Sequence, residues 1–430
     1  MLKEPKREVK SAGIKYVILA AGKGTRMKSE LPKVLHEIFS KPLLGWVLDA
    51  VGNSESIVVV GHGAKKVEEY LESFPNSSPV VQKDQLGTGH ALKCASKNLK
   101  DFKGKVLILC GDTPIIKAST LEKFVENHDE HKASLSVMSA VFEDPTGYGR
   151  IIRSEDGGVK EIVEEKDATD EQRQVKEINA GIYCFNWEEV SPALRALKNN
   201  NSQGEYYLTD IVSWAVAKGL KTQGFVIEDK SEIFGINSRK HLAIATDIMR
   251  KNKLVELMDS GVTIVQPSTT SISPDTQIGE DTIIYPNTFI NGENTIGRDC
   301  KIGPFAHIRG RCEIAENVKI GNFVELKNVR VSKNTNISHL SYVGDAQVGQ
   351  DVNIGAGTIT ANYNSITKTK SETIIEDGAS TGSNAVLVAP VKLGKKAFVA
   401  AGSVVTKDVG QKSLAVARGV QKNITNWVKD

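Results

Sequence analysis

The segment LAAGKGTRM (19–27) sets Ala20, Ala21 and Gly22 in a row and follows them with Gly24. Residues with so little side chain let a backbone approach phosphate oxygens closely. Lys23 and Arg26 in this loop, and Lys33 shortly after it, supply positive charge for a polyphosphate. The segment lacks the GKT or GKS ending of a Walker A loop and is not G-x-G-x-x-G. Taken alone it equally fits a tight strand-to-helix turn with solvated lysines. Far down the chain, polar, aromatic and basic residues collect in ELKN (325–328), SHLSYVGDAQ (338–347) and NIGAGTITANYNSITKTK (353–370). His339 stands among them. An imidazole titrates in the range a general base needs, although a single histidine is more often structural.

Composition narrows the classes. The 430 residues carry 55 basic and 52 acidic side chains, a net charge of +3, which argues against a dedicated nucleic-acid binder. With 40% hydrophobic and 25% charged residues the chain reads as soluble and globular, and its length suggests two or three domains. Cys94, Cys110, Cys184, Cys300 and Cys312 form neither C-x-x-C nor a zinc spacing, so reduced thiols in a cytosolic protein are expected. No apolar run approaches the roughly 18 residues of a membrane helix. The opening MLKEPKREVK lacks the apolar stretch of a secretory signal. The expectation is a cytoplasmic protein with no membrane or nucleic-acid partner and a disordered extension over residues 1–13.

The elements that must position these residues fall into two periods. KYVILAA (15–21), SIVVVGH (56–62) and KVLILCGD (105–112) read as buried strands, separated by helical stretches such as Leu43–Val51 and Leu121–His131. Alternation of this kind predicts a parallel sheet covered on both faces, an α/β Rossmann-like domain over 14–240. Ligands in such sheets sit at the carboxyl ends of the strands, where the Gly-rich segment and Asp112 fall. Residues 241–260 have helical spacing and read as a linker helix.

After Gly261 the period becomes six. Ile272, Ile278, Ile284, Ile290, Ile296, Ile302, Ile308, Ile314, Ile320 and Leu326 follow one another without a break. Four residues after them come small or β-branched residues, with Asn294 the exception. The frame slips near Val331 and again at Val348, then resumes at Ile375. A hexapeptide repeat is the mark of a β-helix, predicted here over 261–409 with an arm over 410–430. The pattern resembles the left-handed parallel β-helix acyltransferases, which are typically trimers; the handedness comes from that resemblance.

LAAGKGTRM followed by LPK (31–33) resembles the sugar nucleotidyltransferases. In order come QKDQLGTGHA (82–91), CGDTP (110–114), GYGRI (147–151), EINAG (177–181), NNNSQGEYYLTD (199–210) and GINSR (235–239). Together these resemble the bifunctional N-acetylglucosamine-1-phosphate uridylyltransferases/glucosamine-1-phosphate acetyltransferases, over about residues 14 to 428. The resemblance implies that acetyl-CoA acetylates glucosamine-1-phosphate and that UTP then donates uridylyl to the product. Leu19, Ala20, Ala21 and Gly22 would contact the nucleotide through backbone, and Gln82, Gln85, Gly87 and Thr88 would read base and ribose. Arg26 and Lys33 would neutralise triphosphate charge in catalysis. Gly149, Glu164 and Asn179 would hold the sugar, and Asp112 and Asn237 would ligate Mg²⁺, with Asn237 also at the nucleotide.

In the second half the resemblance implies His339 as general base. Arg309 and Lys327 would bind the sugar phosphate, with Tyr342, Asn353 and Lys368 completing the acceptor site. Asn362, Tyr363, Ser383, Ala401 and Arg418 would hold acetyl-CoA. A homotrimer assembling this pocket from several subunits is implied. Gly310 stands where relatives often carry Pro, and the segment 368–378 runs about two residues longer than usual, which leaves the role of Lys370 open. Two other readings compete. A thymidylyl- or guanylyltransferase with a β-helix tail fits less well with EINAG and NNNSQGEYYLTD. A non-catalytic regulatory or assembly subunit should have lost its charged residues, yet Arg26, Lys33, Asp112 and Asn237 are all present.

Overall fold

Apolar residues on both sides of a strand demand cover on both faces, and the first strand shows it. In Ile14–Ala20 of the computed structural model, Val17 packs into one apolar core and Ile18 into another. The structure describes residues 13–425, 427 and 428, so all but the last residue of the expected extension over 1–13 lies outside the described residues. The chain divides into two units, one ending at Thr246 and the other beginning at Asp247.

In the first unit the sheet runs Thr222–Val226, Leu135–Val141, Glu177–Asn186, Lys105–Cys110, Ile14–Ala20, Ser56–Val60, Ser77–Val81. Ile14–Ala20 pairs in parallel with Ser56–Val60 on one side and Lys105–Cys110 on the other. The chain therefore reverses its direction of travel across the sheet at this strand. Such a switch point opens a crevice at the carboxyl ends. The expectation of a parallel sheet needs correction: Glu177–Asn186 runs antiparallel to both of its long neighbours, and Arg150–Arg153 and Val159–Val163 add antiparallel pairs beside it. A strand buried on both faces has the same apolar pattern in either direction, so its sequence does not show its sense.

The helix Arg239–Asp259 crosses the division between the units. Its Leu254 and Leu257 join the apolar core of the second unit. That core is a column of stacked aliphatic residues. Ile284, Ile302, Ile320, Ile337 and Ile354 occupy one parallel face, each paired in register with the next. Two further columns of parallel strands complete the coil, and the whole is a parallel β-helix. Asn294, the exception in the repeat, is buried and fully bonded: its Nδ2 donates to Asn291 O and Gly292 O at 3.1 Å, and its Oδ1 accepts from Cys312 N at 3.0 Å.

The slips of frame have a physical cause. Early coils repeat every 18 residues, as in the bond from Cys300 N to Thr282 Oγ1. Glu325–Val331 and Tyr342–Val348 instead run straight for 7 residues each, and the coils there shorten to 17. The next coil is expanded. Asn353 pairs with Ser380, and the added chain forms a small antiparallel hairpin, Tyr363–Asn364 against Thr369–Lys370.

Candidate active sites

At the switch point the loop after Ile14–Ala20 turns through Gly24, whose φ is 59°. A Cβ there would lie 2.7 Å from the Cβ of Lys33, so only glycine lets the loop close over the LPK segment. Lys33 opens the short turn Lys33–Leu35. A cavity of about 450 Å³ lies here, lined by Leu19, Ala20, Ala21, Gly22, Lys23, Lys33, Gln82, Gln85, Gly87, Thr88, Cys110, Asp112 and Glu205 among others. Ten of the residues expected from sequence thus meet in one place. Arg26 does not line this cavity; it is exposed on the turn Thr25–Met27.

The Lys33 ammonium bridges two oxygens, Asp112 Oδ2 and, at 3.1 Å, Asn237 Oδ1. One carboxylate and one amide oxygen, distant in sequence, therefore converge on one cation-sized position. Two protein oxygens of this kind suit a divalent cation that keeps phosphate and water as its other ligands. Among the described residues no cluster of three or more His, Cys, Asp or Glu competes as a metal site.

Gly149, Glu164 and Asn179 lie together beside the cavity but outside its lining. Asn179 N donates to Gly149 O at 2.9 Å, and a Cβ on Gly149 would lie 3.6 Å from Glu164 Oε2. Glu164 Oε1 accepts from the Thr209 hydroxyl at 3.2 Å. Burial holds the Glu164 carboxyl above the usual range, with Asp167, Asp210 and Glu205 adding to the rise. Asn179 is fixed at both ends of its amide, donating to Tyr183 Oη at 2.8 Å and accepting from Gly181 N at 3.0 Å. The Cys110 thiol, beside Asp112, is pushed up to about 12 chiefly by burial, so it takes no part as a thiolate.

In the β-helix His339 ends the strand Asn336–His339 and is exposed. Its Nδ1 lies 2.7 Å from Asn322 Oδ1, the residue it faces in register on the previous coil. An amide oxygen only accepts, so Nδ1 carries the hydrogen and Nε2 keeps a free lone pair. Sequence reasoning missed Asn322, because nothing in a monotonous repeat marks one asparagine as an orienting group.

Arg309, Lys327 and Gly344 stand in register on adjacent coils. Arg309 forks onto Glu325, with Nε 2.7 Å and Nη2 2.5 Å from Oε1. The Lys327 ammonium is held below its usual value by the nearby charges of Lys370 and then Arg309. A cluster of three cations is a ready anion site. The lysine that joins it is Lys370, whose role the sequence leaves open; Lys368, expected at the acceptor site, is exposed in the hairpin turn at φ 56°. Asn353 starts the following coil beside Asn336, and the Tyr342 ring folds over Gly344.

Asn362 is buried and donates from Nδ2 to Asp345 Oδ2, with exposed Tyr363 next to it at the base of the hairpin. Ser383, Ala401 and Arg418 form a separate group on successive coils. Gly402 N donates to Ser383 O at 2.8 Å, and Arg418 Nη1 donates to Ala401 O at 2.9 Å.

Comparison with known proteins adds to this geometry. Residues 15–237 match the nucleotidyl transferase family. Residues 295–328 match the bacterial transferase hexapeptide family (six repeats), and residues 372–407 the hexapeptide repeat of succinyl-transferase. The chain is 45% identical over 449 residues to the bifunctional protein GlmU of Shouchella clausii, covering 96% of this chain and 98% of that one. It is also 45% identical to the proteins of the same name from Bacillus subtilis, over 450 residues with the same coverage, and Acetivibrio thermocellus, over 448 residues and 96% of both chains.

Proposed function

The chain belongs to the family of bifunctional GlmU proteins, and from that premise we propose how its residues divide two reactions. It is a two-activity enzyme, a nucleotidyltransferase joined to a left-handed β-helix acetyltransferase. The proposed substrates are glucosamine-1-phosphate and acetyl-CoA at the β-helix, then N-acetylglucosamine-1-phosphate and UTP at the cavity of the first unit. The product is UDP-N-acetylglucosamine, made in the bacterial cytoplasm. No helix among the described residues is long and apolar enough to cross a membrane.

The observation that carries the nucleotidyl reading is the meeting of a glycine-rich loop, Lys33 and Asp112 in one cavity, with Asn237 Oδ1 on the same Lys33 ammonium. A phosphate oxygen of the sugar phosphate attacks the α-phosphorus of UTP, and pyrophosphate leaves. Both reactants are anions, so positioning and charge neutralisation carry the catalysis. The backbone from Leu19 to Gly22 lies along the nucleotide, and Lys33 draws the triphosphate charge. Arg26, exposed on the turn Thr25–Met27 of the same loop, is assigned the triphosphate charge together with Lys33. Gly149, Glu164 and Asn179 hold the sugar. The family uses a divalent cation, proposed here as Mg²⁺; held by Asp112 and Asn237, it supplies positive charge for the phosphates.

At the β-helix, Arg309, Lys327 and Lys370 hold the sugar phosphate, with Tyr342, Asn353 and Lys368 completing the acceptor site. His339 Nε2 takes a proton from the sugar ammonium, and the freed amine attacks the thioester carbonyl. The C–N bond forms, the C–S bond breaks, and the second proton of the attacking nitrogen passes to the departing sulfur, so that a neutral amide and the coenzyme A thiol result. Asn362, Tyr363, Ser383, Ala401 and Arg418 hold acetyl-CoA. Because Asn362–Tyr363 and Ser383–Ala401–Arg418 form two groups, a homotrimer that completes the pocket between copies suits them. Exposed Phe305 and Phe323, stacked at 5.1 Å, and exposed Leu340 support that assembly.

The test incubates the protein with glucosamine-1-phosphate, acetyl-CoA, UTP and Mg²⁺ and identifies products by mass. UDP-N-acetylglucosamine should appear only with all four. Without acetyl-CoA, appearance of the unacetylated nucleotide sugar at the same rate would refute the order.

A further inference from the structure

We propose that His90 is a positioning residue that makes the uridylyl site choose uracil over cytosine, by locking Gln82 with its acceptor end toward the base. The proposal rests on the reading of the 450 Å³ cavity as the nucleotide site.

Gln82 is only 3% exposed and lines that cavity. Its Nε2 lies 3.1 Å from Gly87 O and 3.0 Å from His90 Nδ1. A carbonyl oxygen only accepts, so the nitrogen end of the amide must face Gly87; the flipped amide would set two oxygens against each other. The second amide hydrogen goes to His90 Nδ1, which therefore acts as acceptor. The imidazole then carries its own hydrogen on Nε2, 3.9 Å from Cys94 Sγ. Both donors of Gln82 are thus spent inside the protein, and Oε1 has no partner among the described residues.

The face that Gln82 offers a base is consequently an acceptor. Uracil presents N3–H at the middle of its pairing edge, whereas neutral cytosine presents an unprotonated N3 there. An acceptor facing an acceptor in a buried site is rejected, because neither group finds a partner. Removing His90 frees one amide hydrogen. The Gln82 amide, then held only by Gly87, can turn an N–H toward the cavity and accept cytosine.

The backbone keeps His90 in place. It stands on the helix Thr88–Ala95, which begins directly after Gly87, so one short stretch supplies both partners of Gln82. A Cβ on Gly87 would lie 2.6 Å from Tyr206 O, which is why the loop can press against the 205–206 segment. Gly89 N donates to that same oxygen at 2.8 Å, and the His90 and Tyr206 rings lie 6.3 Å apart.

The experiment measures kcat/KM for UTP and for CTP, with N-acetylglucosamine-1-phosphate and Mg²⁺, in wild type, His90→Phe, His90→Gln and Gln82→Ala. His90→Phe keeps a flat ring but has no acceptor, and the UTP-over-CTP ratio should fall about tenfold or more. His90→Gln offers an amide oxygen in its place and should recover most of the ratio. KM for the sugar phosphate should stay put, as general distortion of the site would not allow. Acetyl transfer by the same chain reports folding. If His90→Phe keeps the wild-type ratio while Gln82→Ala lowers it, the role of His90 is overturned and the nucleotide reading survives. If Gln82→Ala leaves the ratio unchanged, the nucleotide reading fails and takes this proposal with it. Should the His90 variants not turn over, the ratio of UTP to CTP dissociation constants by calorimetry replaces the kinetic ratio, and the same outcomes support or overturn the role of His90.

Discussion

A carboxylate and an amide oxygen sharing one ammonium is a demanding arrangement, and it makes Asp112 the residue whose loss should cost most. Its carboxylate is the charged member of the proposed cation pair, so Asp112→Ala should lower uridylyl transfer by about 10³-fold or more. Acetyl transfer should be unchanged, measured on the same preparation; near-wild-type uridylyl transfer in Mg²⁺ would remove Asp112 from the cation site. Asn322 offers the matching case in the β-helix. Its Oδ1, 2.7 Å from His339 Nδ1, fixes which ring nitrogen is free. Asn322→Ala should cut the kcat of acetyl transfer by at least about tenfold, because the wrong tautomer then competes. An unaltered pH–rate profile and kcat would argue that the bond is incidental. At this scale the sequence is informative wherever a motif is local: the loop 19–24, Gln82 to Thr88, and Asp112 each fall within a short segment that carries the family resemblance, although none of them identifies a site alone. It is silent on Asn322, and it leaves open the role of Lys370, which geometry brings to Lys327. Those contacts depend on how one coil lies over the next, which spacing along the chain does not encode.

Elements show the same division. The aliphatic column is legible in the sequence because one residue in six must be buried for coils to stack. The antiparallel sense of Glu177–Asn186 is not, because it leaves the apolar pattern unchanged; the hairpin 363–370 shows only as a break in the repeat before Ile375, and a break does not give its form. Stacking leaves little room at Gly321, where a Cβ would lie 1.9 Å from Ser338 O. Gly321→Ala should therefore destabilise the β-helix by about 1–3 kcal/mol through forced displacement of the coil that carries His339 away from the one that carries Asn322, read as a lower midpoint in urea. In the first unit the helix Ala118–Glu130 is tied to the sheet by His128, which is buried. Its ring bonds to Ser136 Oγ at 2.8 Å and Asn186 Oδ1 at 3.1 Å. Burial holds the His128 pKa below its usual value of 6.5. The folded state thus favours the neutral ring. The resulting stability is complete above the unfolded pKa of about 6.5 and is lost as pH falls below it toward the folded pKa. Thermal melts between pH 7.5 and 5.5 should show a steeper decline for wild type than for His128→Gln; parallel declines would place the acid sensitivity elsewhere.

At the scale of the whole molecule the question is whether two reactions share anything but a chain. The apolar cores answer in part. Buried members of the two cores in the first unit end at Ile233, and those of the β-helix begin at Leu254. Each unit therefore has its own source of stability, and each candidate site is built from its own unit: Lys33, Asp112 and Asn237 in one, Asn322 and His339 in the other. A β-helix is stabilised by contacts between successive coils, so a change on one coil is felt by its neighbours and fades beyond them. His339→Ala should accordingly remove most acetyl transfer, by about 10²–10⁴-fold, since the sugar ammonium loses its base. The same variant should still convert N-acetylglucosamine-1-phosphate and UTP to UDP-N-acetylglucosamine at the wild-type rate. Lys33→Ala should give the opposite result, with uridylyl transfer lost and acetyl transfer kept. A mixture of the two variants should then make UDP-N-acetylglucosamine from glucosamine-1-phosphate, because the acetylated sugar phosphate passes between them through solution. Failure of the mixture, with each variant still performing its own half-reaction, would mean that the intermediate does not leave one enzyme for another. Loss of both half-reactions from a single substitution, in a protein with a wild-type melting profile, would instead show that the two sites are coupled and that two independent units are the wrong description.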